Sequence, residues 1–295
     1  MDEMPTIVLP IQLTGLVDAA DTDVGQQRGH NEDYFGVQVV LNRVNQPTYH
    51  QLQAQGLYML CDGMGGHASG EVASRLAVET LGQYFQTHWH ATQANGAQLT
   101  QQLPSTDVIR QAVIAANEAI FEQNQAKGRS GNARMGTTLV MLLLCGTKAV
   151  YAHVGDSRLY QFTRKRGLEQ MTIDDEVGQR DLQRGVPLEV AYSRADAYQL
   201  TQALGPRDET FVQPTVQFVD LREDTLFILA SDGLTDNGLL EQHCATHVEP
   251  LLSSHNDLKQ GAKQLIELAN QYNGHDNITV VLVRAQVSAG GHQTV

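Results

Sequence analysis

The sequence predicts a layered α+β fold, with mostly antiparallel strands in the middle and helices packed outside them. Two observations carry that expectation. The segments run in the order strands, two helices, many strands, two helices, strand, which is not the regular alternation of a parallel βαβ fold. The strand-like runs are short, rich in aliphatic or β-branched residues and closed by turn residues, whereas the helical runs keep one apolar face.

Residues 34–40 read as a strand that follows the acidic pair Glu32-Asp33, and residues 57–61 as an apolar strand that ends at Asp62-Gly63. Residues 69–87 read as a helix opened by Ser69, a residue type suited to an N-cap. Residues 106–126 place Ile109, Val113, Ala116 and Ile120 on one helical face. Three strands follow: 137–145, closed by Gly146; 149–154, ending at Gly155-Asp156; and 225–230, ending at Ser231-Asp232-Gly233. Residues 236–252, after the capping pair Thr235-Asp236, and 257–272, with Ala262, Leu265, Ala269 and Tyr272 on one face, read as two more helices. The last strand, 278–283, begins just after Asp276-Asn277. Residues 163–205 are polar and weakly periodic and read as an insertion or flap, while the Gln-rich stretches 42–56 and 88–105 read as loops.

Composition narrows the function classes. With 295 residues, 41% of them hydrophobic and 18% charged, the chain reads as globular. There are 33 acidic residues against 20 basic ones, a net charge of -13, which argues against a nucleic-acid partner and against a polybasic membrane anchor. Three cysteines with no C-x-x-C pair give neither a disulfide framework nor a zinc ribbon, so a reducing cytoplasm is the expected location. The start MDEMPTIVLP lacks the features of a signal peptide, and the longest apolar run, 139–145, is far short of a membrane span.

Four aspartates share a context. Asp62, Asp156 and Asp232 sit just past the ends of apolar strands, and Asp276 sits just before one. If the last strand runs antiparallel to its neighbours, all four land on one edge of the sheets. Carboxylates gathered this way repel one another, and a hard divalent cation such as Mg²⁺, Mn²⁺ or Ca²⁺ removes that cost. The bland alternative is that Asp-Gly and Asp-Asn are common turn pairs. It suffices for one such aspartate and is strained by four.

Other motifs carry less. Gly63-Met-Gly65-Gly66-His67-Ala68 fits a dinucleotide-binding fingerprint, but Asp62 would face the pyrophosphate and no βαβ unit follows. His243 and His247 are spaced as helical zinc ligands, yet the Glu of H-E-x-x-H is missing, so a solvated face is expected there. Neither a G-x-S-x-G elbow nor a P-loop occurs.

Six motifs then occur in order: Arg28-Gly-His-Asn31-Glu32-Asp33, Asp62-Gly63-Met-Gly65-Gly66-His67, Gly136-Thr137-Thr138, Val154-Gly155-Asp156-Ser157-Arg158, Ser231-Asp232-Gly233-Leu234 and Asp276-Asn277-Ile278-Thr279. This ordered set, from about residue 21 to 283, resembles the metal-dependent type 2C Ser/Thr protein phosphatases, the PPM family, in their compact bacterial form. The resemblance implies a four-layer αββα sandwich: two central antiparallel sheets flanked by helices, as one domain over residues 1–295, with a core of about 14–287 and a flap of about 163–205. It implies two core ions, Mn²⁺ or Mg²⁺, with a third, weaker one as in bacterial members.

The same resemblance assigns roles. Asp62 would bridge the two metals, the Gly63 carbonyl would complete a shell, and Asp232 and Asp276 would bind the metal on their side. Glu32 and Asp33 would help through direct or water-mediated contacts, and Asp156 would serve the third metal with Asp232. Arg28 would grip the substrate phosphate and His67 would be the general acid. The implied reaction is hydrolysis of phosphoserine and phosphothreonine in proteins by direct attack of a metal-bridging hydroxide, without a phosphoenzyme. The implied partners are phosphorylated proteins, and the expected state is a monomer. Two alternatives stand beside it: a non-catalytic regulatory or interaction domain of the same fold, and a phosphatase of small phosphate esters. The second arises because the flap departs from the family pattern. It starts Thr172-Ile-Asp174-Asp175-Glu176 instead of a Thr-x-Asp-His-Ser-like run, and the later His-Pro stretch is replaced by Tyr192-Ser-Arg194-Ala-Asp196-Ala-Tyr198.

Overall fold

The structure is a computed structural model that describes residues 10–46, 49–65, 69–89 and 102–289. Among the described residues, eleven strands form two antiparallel sheets. The first sheet has the order β1 (Ile11–Asp23), β11 (Ile278–Ala289), β10 (Thr225–Ala230), β7 (Arg158–Thr163) and β8 (Gly167–Gln170). The second has the order β2 (Asp33–Gln46), β3 (Tyr49–Met64), β5 (Leu139–Cys145), β6 (Lys148–Val154) and β9 (Thr215–Asp220), with the short β4 (Gly136–Thr137) paired to β3.

Strand alternation builds four layers from these sheets. On β5, Leu139, Met141 and Leu143 face outward, into one apolar cluster with Ala77, Leu81 and Phe85 of α1 (Ser69–His88) and Ile109, Val113 and Ala116 of α2 (Thr106–Ala126). Val140, Leu142 and Leu144 face the other way, into a second cluster with Phe227, Leu229, Val281 and Val283 of the opposite sheet. The far side of that sheet presents Ile228, Val280 and Leu282 to Ala262, Leu265 and Ala269 of α7 (Leu258–Tyr272). Strands buried on both faces read as continuous apolar runs, which is why β5, β6 and β10 are legible in the sequence. Each fully buried Leu or Val in these layers contributes about 1.5–3 kcal/mol. The αββα sandwich is therefore the observed fold.

Several elements differ from the sequence expectation. Residues 42–46 and 49–56 are strand, not loop: β2 and β3 pair in register from Asp33–Asp62 to Gln46–Tyr49. Ala54 reaches the inter-sheet core while Gln53 and Gln55 are buried on the other face, so polar residues conceal the alternation. Residues 236–252 are not one helix. The chain turns through α5 (Asp232–Thr235), breaks at Asn237 (φ 60°) and Gly238 (φ 66°), and resumes as α6 (Leu239–Gln242) and two irregular turns ending at Leu252. Left-handed backbone at two successive residues ends any right-handed helix. α7 stands nearly as expected with Asp257 as its cap, but Tyr272 is 57% exposed and leaves the apolar face. Residues 90–101, most of the second expected loop, lie outside the described residues. Within 163–205, β8 extends the first sheet, and α3 (Val177–Gln183) and α4 (Leu188–Ala191) follow. β1, β7 and β9 were not foreseen.

Candidate active site

Strand direction places the aspartates. β11 runs antiparallel to β10, so Asp232, after β10, and Asp276, before β11, sit on one edge of the first sheet. β3 and β6 are both antiparallel to β5, so Asp62 and Asp156 leave the second sheet at one edge as well. Asp33 stands directly across the ladder from Asp62. The two edges meet where the buried Ser231 hydroxyl, on the first sheet, donates to Asp33 Oδ2, on the second, at 2.8 Å.

The loops are fixed by backbone contacts. Asn277 holds the 24–32 segment: its side-chain amide donates to the Val24 and His30 carbonyls, both at 2.9 Å, and its Oδ1 accepts the Glu32 N–H at 2.8 Å. Glu32 Oε1 accepts the Gly70 N–H at 3.2 Å, at the start of α1, where the helix dipole favours an acid. Asp62 is framed by Thr138, whose Oγ1 accepts the Asp62 N–H at 3.0 Å, and by Thr137, whose hydroxyl donates to the Asp62 carbonyl at 2.8 Å. Gly63 lies so close to its neighbours that a Cβ there would stand 2.2 Å from the Gly70 carbonyl oxygen and 2.5 Å from that of Glu32.

Electrostatics single this edge out. Burial, and then the charges of Asp33, Asp232, Asp156 and Asp276, hold the Asp62 carboxyl far above the usual carboxylate range. Burial pushes Asp33 up to about 7, with Asp232 and Asp276 adding to the rise and the Thr279 and Ser231 side chains opposing it. Asp232 is pushed up to about 6 by burial and by Asp276 and Asp236. Asp156 is raised by burial, Asp232, Glu176 and Asp174, and Glu32 by burial. Asp33 Oδ1 and Asp232 Oδ1 are buried without a hydrogen-bond partner. Arg28 is a cation on this edge and bonds Asp276 Oδ2 at 2.5 Å.

This donor set, all oxygen, like-charged and partly bare, is what a hard divalent cation fits. Among the described residues no three acidic, histidine or cysteine side chains are turned onto one point, and Arg28 draws the Asp276 carboxylate to itself. The expected general acid His67 and its neighbour Gly66 lie outside the described residues. His243 and His247 stack edge to face at 5.7 Å, away from these carboxylates in the chain, and join no ligand set.

The flap start docks beside Asp156. Arg158 Nη2 meets Asp174 Oδ2 at 2.6 Å, and Gly155 N–H donates to Asp175 Oδ2 at 2.9 Å. The Tyr192 hydroxyl donates to Glu176 Oε2 at 3.1 Å, so the two stretches that depart from the family pattern are joined to each other. The sequence reading gave no role to Ser231, Asn277, Thr138 or Arg158. All four lie inside the quoted motifs, and that adjacency was the available signal.

Residues 42–269 match the family described as Protein phosphatase 2C. The chain belongs to that family. It is 32% identical over 263 residues to the protein phosphatase PhpP of Streptococcus pneumoniae, covering 89% of this chain and 94% of the relative. Its fold superposes on the crystal structure of the serine/threonine phosphatase Stp1 from Staphylococcus aureus with a TM-score of 0.71 at 28% identity, covering 97% of this chain and 100% of the other. It is also similar to the catalytic domain of the phosphatase PstP in complex with two manganese ions, with a TM-score of 0.65, 30% identity and coverage of 94% and 100%. The aspartate edge of this protein phosphatase 2C chain thus lies in a fold for which a two-manganese complex is known.

Proposed function

We propose that the chain hydrolyses phosphoserine and phosphothreonine in proteins, using Mn²⁺ or Mg²⁺. The observation that carries this is the sheet edge that collects Asp33, Asp62, Asp156, Asp232 and Asp276, buried near enough to raise one another's pKa, with Arg28 paired to Asp276. Asp62, the Gly63 carbonyl, Asp232 and Asp276 would hold two cations, with Asp33 and Glu32 contributing directly or through water, and Asp156 would hold a third with Asp232. When bound, the cations supply charge neutralisation of the phosphate dianion and a strong oxygen nucleophile at neutral pH.

The chain's own groups do the rest. The Arg28 guanidinium offers a planar pair of N–H donors to the phosphoryl oxygens. His67 donates a proton to the departing seryl or threonyl oxygen, a poor leaving group as an alkoxide. The flap, anchored through Arg158 and Asp174, forms the wall that a phosphoprotein meets next to Asp156. A non-catalytic role has no feature in its favour, since the arginine and the acidic set are all present. The chain acts as one domain and a monomer in the cytoplasm, on phosphorylated proteins. Its acidic charge disfavours nucleic acid, and no helix among the described residues is long and apolar enough to cross a membrane.

The test is phosphate release from a phosphothreonine peptide, with Mn²⁺ and with a chelator. Release only with metal is expected. Release without metal, or none with it, overturns the proposal.

A further inference from the structure

Ser231 is fully buried, and no reacting group is assigned to it, yet it joins the two sheets at the site. Its N–H donates to the Thr279 carbonyl at 3.1 Å. Its Oγ accepts the Thr279 N–H at 2.9 Å and lies 2.8 Å from Asp33 Oδ2. A backbone N–H can only donate, so Oγ is the acceptor from Thr279 and the hydroxyl proton goes to the carboxylate. Asp33 itself is 5% exposed, with Oδ2 engaged in this way and Oδ1 bare. Its N–H is held as well, by Asn31 Oδ1 at 3.1 Å. Asn31 in turn donates to the Thr22 hydroxyl at 2.8 Å, and Thr22 bonds the Thr279 hydroxyl at 2.7 Å. A carboxylate tied at one oxygen and bare at the other has a defined orientation.

We propose that Ser231 is a positioning residue for the metal centre: from the opposite sheet, it locks Asp33 Oδ2 so that Oδ1 is the oxygen presented to the cations. This rests on the metal-dependent reading above. A purely structural role would be to staple β10 to β11 through Thr279, and the two roles separate in a double-mutant cycle.

The experiment measures Mn²⁺ affinity by calorimetry, together with metal-free thermal unfolding, for the wild type, Ser231→Ala, Asp33→Asn and the double variant. Ser231→Ala should weaken Mn²⁺ binding by about 10–100-fold, the range found when a group that orients a metal ligand is removed. In the Asp33→Asn background the same change should have almost no effect. Unchanged affinity in Ser231→Ala, or an equal loss in both backgrounds, overturns the assignment. Should Ser231→Ala fail to fold, Ser231→Cys keeps the volume but donates weakly and is expected to lose affinity likewise. A wild type that binds no Mn²⁺ sinks the phosphatase reading itself, and this assignment with it.

Discussion

The Arg28 guanidinium bonds the Asp276 carboxylate at 2.5 Å, so a residue expected to grip phosphate rests on one expected to grip metal. Partial burial pulls the Arg28 pKa down, but the Asp276 hydrogen bond and the charges of Asp276, Asp232 and Asp62 outweigh it and raise it. The arginine is thus an internal counter-ion for the acidic edge. A cation held by Asp276 would compete with this pair and would free the Arg28 donors for a phosphate.

Arg28→Ala should therefore separate the two roles. Charge-assisted hydrogen bonds are worth about 1.5–3 kcal/mol, so kcat/KM on a phosphothreonine peptide should fall by roughly 10–100-fold. Mn²⁺ affinity should not weaken, since a competitor for Asp276 has gone. Steady-state kinetics and calorimetry check both halves.

Stability without metal should fall as pH rises. Asp33 at about 7 and Asp232 at about 6 lie above the ordinary aspartate value of 3.8. Between about pH 4 and 7 the folded chain then binds more protons than the unfolded one, and raising the pH removes that advantage. Melting in a chelator should be higher at pH 5 than at pH 8, and Mn²⁺ should reverse the order by taking the protons' place. A metal-free melting temperature that climbs from pH 5 to 8 would contradict the raised pKa values.

The flap anchor is a second target. Arg158 reaches Asp174 through Nε and Nη2, and Asp174 is 8% exposed. Arg158→Met leaves that carboxylate buried without its cation, at a cost of order 3 kcal/mol. Urea denaturation should show the loss, faster proteolysis within residues 171–205 should accompany it, and the pair Arg158→Met with Asp174→Leu should recover part of the stability.

Gly63→Ala drives a methyl into two backbone carbonyls, one in α1 and one at the end of the 24–32 loop. A loss of about 3 kcal/mol or more is expected, with Mn²⁺ binding lost. Gly29→Ala, beside Arg28, meets nothing within 4 Å and should melt like the wild type.

His67→Ala should slow hydrolysis of a phosphothreonine peptide far more than that of p-nitrophenyl phosphate, whose leaving group needs no proton. Equal losses on both substrates would remove His67 from the role of general acid.

The layers were legible where burial on both faces wrote an apolar run, as in β5 and β10. They were obscured where burial left no such mark. Ala54 alternates with the buried Gln53 and Gln55, and β9 exposes Phe218 at an edge, so neither gave a clean period. The break at Asn237-Gly238 is readable as a turn pair, but the capping pair Thr235-Asp236 just before it points to a helix. At the site, the strand-end aspartates could be seen because turns follow them. The contacts of Ser231 and Asn277 could not, because they depend on how the two sheets dock.

β11 pairs with β1 on one side and β10 on the other, joining Ile11 to Ala289 and Asp23 to Ile278. During synthesis the first strand must therefore wait for the last before its ladder can form. Asp276, Asn277 and Thr279 emerge with that same late segment. A nascent chain that ends before Asp276 lacks an inner strand of its first sheet, the partner of Arg28 and the clasp on the 24–32 loop all at once. The first sheet and the 24–32 loop are thus completed together, in a single late step of chain synthesis.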